Sequence, residues 1–148
     1  MEKHALRILS MLVLTVTLTA SAVYANLGGT IRVNIPFDYS VGGKTLPAGV
    51  YAVNPTTTQG VLRIRRRDGG AAALITTREA RAQRQPGQTK LVFHQYGNQY
   101  FLAQIWTAGE SSGRELWKSR EELDLIKNAA KNLAQNGIGP EVVCVVAE

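Results

Sequence analysis

Lys90-Leu-Val-Phe-His-Gln-Tyr96-Gly97-Asn98-Gln99-Tyr-Phe-Leu-Ala-Gln-Ile-Trp-Thr107 reads as two strands, Lys90 to Tyr96 and Gln99 to Thr107, joined by a two-residue turn. Glycine stands first in that turn, where a type II′ hairpin wants it. The turn sets His94 opposite Phe101, Phe93 opposite Leu102 and Gln95 opposite Tyr100. One face then carries Leu91, Phe93, Tyr100, Leu102 and Trp106, and the other Val92, His94, Tyr96, Phe101, Ala103 and Ile105. A hairpin apolar on both sides belongs in the middle of a sandwich or barrel, or packs its second face on a helix.

A helix to do that covering follows. Ser119-Arg120-Glu121-Glu122 has the form of a capping box, with Ser119 holding the first amides and Glu122 reaching back. The helix is expected over 119–136, with Leu123, Ile126, Ala130 and Leu133 at helical spacing, acids in its first turn and Gly137 as its stop. Docking on the sheet is the expectation; lying on a membrane is the alternative. Beyond Pro140, Glu141 to Ala147 reads as a last strand, buried or added to an edge.

Upstream, Ile31 to Val41 alternates apolar and polar residues throughout, the signature of a half-buried strand. Pro36 cannot donate to a ladder, so this strand lies at an edge or breaks there. Gly42-Gly43 and Leu46-Pro-Ala-Gly49 mark turns, and Val50 to Val53 a short strand, before a loop at Asn54, Pro55 and three threonines. Val61 to Arg67 and Ala71 to Thr77 suggest a hairpin around Asp68-Gly69, a pair that suits a type I′ turn. Residues 78–88 are polar and arginine-rich and read as a loop or frayed helical turn. The expected fold is mainly β: a small antiparallel β-sandwich or open barrel, its β core at about 30–107, with one C-terminal α-helix.

The first residues follow another logic. Lys3 and Arg7 precede an apolar run from Ile8 to Leu18 and then small residues up to Ala25, the order of a secretory signal peptide. The run is too short to span a bilayer, and no second apolar stretch could hold the rest in one. Residues 1–25 are therefore expected to be removed, leaving 26–148 as a single exported domain, periplasmic or extracellular. Without Lys3, Arg7 and Glu2, the chain's 17 basic and 11 acidic residues become 15 and 10, a surplus of five positive charges. Such a surface attracts anions, and for an exported protein these are envelope polysaccharide, lipid head groups or an acidic envelope protein, not nucleic acid. The single Cys144 excludes an internal disulfide, and its apolar surroundings predict burial.

Motifs for catalysis are poor. Gly109-Glu-Ser-Ser-Gly113 matches the nucleophile-elbow pattern, yet that chemistry needs a His base later in the chain, and His94 comes earlier. His94 with Cys144 is the one conceivable thiol and imidazole pair, while a core histidine facing Phe101 is the simpler reading. Within 26–148, one His and one Cys cannot build a zinc site, no acidic run has calcium-loop spacing, and no motif binds a cofactor. Asp38, Asp68, Glu79, Glu110 and Glu115 supply carboxylates without any spacing that pairs two across a cleft. No enzyme is expected; a small hydrolase using His94 is the rival from that class.

Binding residues are easier to find. Arg63, Arg65 and Arg67 line one strand face, and Arg78, Arg81 and Arg84 recur nearby, so that together they could form an anion-binding patch. The plainer reading is a solvated face that resists edge-to-edge aggregation. Tyr96, Tyr100, Trp106 and Trp117 could make a stacking platform for sugar rings, or be core.

Two blocks carry a resemblance: Asn34-Ile-Pro-Phe-Asp-Tyr through Gly43-Lys-Thr-Leu-Pro-Ala-Gly-Val-Tyr51, and Lys90 to Leu102 through Gly113-Arg-Glu-Leu116 with Lys118-Ser119. Over roughly 34–122 the chain resembles a family of uncharacterised exported proteins of environmental diderm bacteria. Trp117 stands where that pattern has a proline, and the tail beyond Glu122 lies outside it. The resemblance implies export and a shared β-rich architecture, and it brings no activity, cofactor or active site. The reading as a whole is an exported, non-catalytic β-domain with a binding or structural role in the cell envelope.

Overall fold

The computed structural model describes residues 29–136 and 141–147; the signal segment expected at 1–25 and the helix stop at Gly137 lie outside the described residues. Among the described residues, ten strands form one open, mostly antiparallel sheet that curls on itself around its core, with one helix near the C-terminal end.

The alternating run at the start is broken at Pro36 into β1 (Ile31–Ile35) and β2 (Tyr39–Val41). Gly42 and Gly43 both take positive φ and close β2 onto β3 (Lys44–Leu46) in a two-residue turn, so the type I′ geometry occurs here. β4 (Gly49–Pro55) pairs back on β1, which lies at the sheet edge.

β5 (Val61–Arg66) and β6 (Ala72–Arg81) form the expected hairpin, with Arg65 opposite Ala72. Its turn differs from the type I′ expectation: φ is positive only at Gly69, whose amide donates to the Arg66 carbonyl at 3.0 Å. The Asp68 carboxylate accepts from the Gly70 amide at 2.9 Å, a local bond that stabilises the longer loop. Residues 78–81 are neither loop nor helical turn. They extend β6, which pairs with β5 through Thr76 and then with β9 (Ser112–Leu116) from Thr77 to Arg81. The sheet bends along this one long strand.

β7 (Lys90–Tyr96) and β8 (Gln99–Trp106) take the expected register near the turn: His94 faces Phe101, Phe93 faces Leu102, and Gly97 alone has positive φ. A β-bulge between Val92 and Phe93 then shifts the pairing, so that Leu91 meets Ile105 and Lys90 meets Trp106. The extra residue exchanges the expected faces of the last pair. Ile105 joins the core, and Trp106 turns outward over Gly113, where a methyl group would run into its ring. The far edge of β8 serves two strands, β9 at Gln104–Trp106 and, in parallel, β2 at Phe101.

β10 (Glu141–Val146) adds to the edge of β7. Val143 and Val145 face the core, whereas Val142, Cys144 and Val146 are exposed. The expected burial of Cys144 is thus corrected: the strand is an edge strand, and the thiol sits on its outer side. β1 and β10 approach within 8 Å between Cα atoms without pairing, so the curl stays open.

Inside lie Val33, Ile35, Tyr39, Tyr51, Val53, Ile64, Leu91 and Phe93, all but sealed from solvent. Phe37 stacks on Tyr100 at 3.9 Å and meets Phe93 edge-on, and Tyr39 meets both Phe93 and Tyr51 edge-on. These contacts bind the β2 segment to the β7–β8 hairpin.

Helix α1 spans Arg120–Asn136. Ser119 caps it, its Oγ accepting from the Glu122 amide at 3.1 Å. The reciprocal half of the capping box is absent, because the Glu122 carboxylate is engaged with β7 instead. Among residues with described side chains, Glu122 is buried and Leu125, Ile126 and Ala129 are half-buried on the same stripe, while Leu123 and Ala130 are exposed. The covered face is rotated from the one expected, because a carboxylate leads it. No described helix is long and apolar enough to cross a membrane.

Candidate functional site

The outer face of β1, β4 and β5 is built from alternate positions. The ladder places Arg32 opposite Ala52 and Ala52 opposite Arg65, so two arginines flank one small residue. Arg63 follows two residues along β5, between Asn54 and Leu74, and the Arg67 amide donates to the Val50 carbonyl at 2.9 Å. Strand geometry separates Arg63 from Arg65 by ~7 Å along the strand and Arg32 from Arg65 by ~10 Å across two ladders. Arg32, Arg63, Arg65 and Arg67 are all exposed, and no described acid pairs with any of them. Leu74, 66% exposed, and Val50 add apolar patches between the charges.

The other arginines are committed differently. Arg66 points to the opposite side of β5 and pairs with Asp68 at 3.0 Å. Arg78 bonds Glu115 at 2.8 Å across the β6–β9 ladder and lies 4.8 Å from the centre of the Trp117 ring. That guanidinium holds the Glu115 carboxyl below its usual range, with burial opposing it. Arg81 stands 3.9 Å from Glu79, and Arg84 is exposed in the loop after β6. Of the six predicted arginines, three therefore share a free face, together with Arg32, which sequence reading missed. Its place beside Arg65 depends on the strand order β1-β4-β5, which no local pattern announces.

The aromatic platform does not assemble. Tyr100 lies on the inner side against Phe37, whereas Tyr96 lies on the outer side near Phe101. Trp106 is buried over Gly113, and Trp117 is 63% exposed beneath Arg78. The bulge and the two-sided hairpin separate what spacing alone grouped.

His94 has a different partner from any expected. Its Nδ1 is 2.9 Å from Glu122 Oε1, and the Tyr96 hydroxyl donates to the same oxygen at 3.3 Å. Glu122 is 4% exposed. Burial, with the carboxylate adding to it, pushes the Tyr96 phenol up to about 12. No described hydroxyl or thiol is hydrogen-bonded to His94; Cys144 stands opposite Val92, and Ser111 lies in the turn before β9. The trio joins helix to sheet and presents no nucleophile. Among the described residues, no three His, Cys, Asp or Glu side chains gather as a metal site.

At one end of the curl a cleft of about 490 Å³ opens between β1, β4, β5, β6, β8 and β9. Val53, Leu62 and Ile105 form its floor, and Glu79, Glu110 and Arg114 stand on its wall. Comparison with protein-family models, curated proteins and solved structures gave no match.

Proposed function

We propose that this chain is an exported, non-catalytic binding protein of the cell envelope, and that the outer face of β1, β4 and β5 holds an anionic envelope component. One observation carries the reading: Arg32, Arg63, Arg65 and Arg67 have no acidic partner among the described residues, whereas Arg66, Arg78 and Arg81 each have one. A guanidinium left unpaired keeps its donor fork for carboxylate or phosphate, and four on one face favour a ligand with anions repeated at ~7 and ~10 Å. Acidic polysaccharide and lipid head groups both offer that chemistry. Export is supported by the charged, apolar, small-residue order of 1–25 and by the family resemblance over 34–122.

The test is the thermal midpoint of the purified chain against an acidic polysaccharide and against phosphatidylglycerol vesicles, at low and at high salt. A ligand that binds only the native state raises the midpoint. A rise with either probe that fades with salt and is lost in the combined Arg32→Gln, Arg63→Gln, Arg65→Gln, Arg67→Gln variant supports the reading, and the responding probe identifies the source. No shift with either probe, or one that the variant keeps, overturns it in favour of a structural role.

A further inference from the structure

The cleft at the end of the curl is distinct from the arginine face, which lies on the outside of the same strands. Its apolar lining is Ile31 and Pro55 at the surface, over the buried Val53, Leu62 and Ile105. Its wall carries opposite charges brought together by the ladder. Glu79 stands opposite Arg114 between β6 and β9, and Arg114 stands opposite Ile105 between β9 and β8.

Opposite charges facing one another across a ladder ordinarily pair, since their Cβ atoms lie ~5 Å apart. Here they do not. The cation nearest Glu79 within pairing distance is Arg81, at 3.9 Å, and Arg114 has no described acid within 4.0 Å. Both side chains line the cleft, so Arg114, with no described acid within 4.0 Å, and Glu79, held only by the long contact to Arg81, sit beside an apolar floor. The volume lies in the range that holds a single small ligand.

We propose that this cleft is a small-molecule site for one amphiphile with a zwitterionic head, its apolar body on Ile31 and Pro55 above Leu62, Val53 and Ile105, its anionic group on Arg114 and its cationic group on Glu79. A singly charged head would leave either Arg114 or Glu79 facing a like charge or nothing, whereas a zwitterion satisfies both. Glu110, on the same wall, adds a second acid and weighs further against a purely anionic head.

The experiment uses the purified chain and the fluorescent apolar probe N-phenyl-1-naphthylamine. The probe is displaced by dodecylphosphocholine, dodecyltrimethylammonium or dodecyl sulfate, each kept below its micelle concentration. Saturable displacement is expected, with the zwitterion about tenfold tighter than either singly charged analogue, and about tenfold weaker after Arg114→Gln or Glu79→Gln. Ser112→Trp, at an exposed position on the wall, should block binding while leaving the unfolding midpoint in place. Absence of saturable binding, equal affinity for the three heads, or binding indifferent to all three variants would overturn the proposal. The combined arginine-to-glutamine variant of the outer face keeps this binding, which separates the two sites.

Discussion

His94 Nδ1 and Glu122 Oε1 lie 2.9 Å apart, and through them the first turn of α1 is fastened to the outer side of β7. Tyr96 shares the same carboxylate oxygen. The carboxylate is buried, so its bonds to β7 are what make that burial tolerable. The helix is thereby held in one register, because a slip of one residue would carry Glu122 off the covered stripe.

Glu122→Ala should cost about 1–3 kcal/mol of stability, the range for removing one partner of a buried hydrogen bond. His94→Ala should cost less after Glu122 has gone than before, with a coupling of about 1 kcal/mol in a urea-unfolding double-mutant cycle. Strict additivity would show that the contact holds nothing.

Tyr96 should ionise near pH 12, above the usual phenol value of 10. Because the folded value is the higher one, the fold favours the neutral phenol. The associated stability is present below pH 10 and is lost as pH rises from 10 towards 12. Ultraviolet titration of the chain against its Tyr96→Phe variant isolates this group, and Glu122→Gln should move its midpoint down towards 10. An unmoved midpoint would leave desolvation as the sole cause.

Gly113→Ala should destabilise by about 1–3 kcal/mol, because the new methyl enters the space of the Trp106 ring and overpacks the site. In a Trp106→Leu background the same change should cost less. Thermal midpoints of the four proteins decide it, and an equal cost in both backgrounds would place the strain elsewhere.

Cys144 should react with an aromatic disulfide reagent in the native chain without prior unfolding, since its side chain is on the outer face of an edge strand. Cys144→Ser should change stability by no more than about 0.5 kcal/mol. Labelling that waits for denaturant would mean that the outer face of β10 is covered in solution.

Local chemistry was readable before the fold was known, and long-range placement was not. Gly97-Asn98 names its turn and thereby pairs His94 with Phe101, and Ser119 names the helix start; each signal spans a few residues. The bulge that sends Trp106 outward and Ile105 inward has no such signature in the hairpin's own residues, although it sets Trp106 opposite Gly113 of β9. The rotated helix face has the same origin: the stripe of Glu122, Leu125, Ile126 and Ala129 makes sense only once His94, 28 residues upstream, is known to wait for a carboxylate. Residues 78–81 read as loop because three of the four are charged and Ala80 is the one apolar residue among them. Their strand is held by Arg78–Glu115 and the β9 ladder. On the arginine face, alternation revealed Arg63 and Arg65, but Arg32 joins them only through strand order. The cleft was invisible for that reason too, since Glu79 and Arg114 are 35 positions apart and meet only in the β6–β9 register.

The pairing of β10 with β7 sets a timetable. A chain growing from its amino end can close the β7–β8 hairpin within about 1–10 μs of its emergence. It cannot cover the other edge of β7 until Val146 has arrived. Throughout that interval Lys90 to Tyr96 offers a bare row of amides and carbonyls to any neighbour, an invitation to aggregate that the finished molecule withdraws. Protection of this protein by a chaperone would matter most in the span between the hairpin and the last six described strand residues, and a chain truncated after α1 would remain in that vulnerable state permanently.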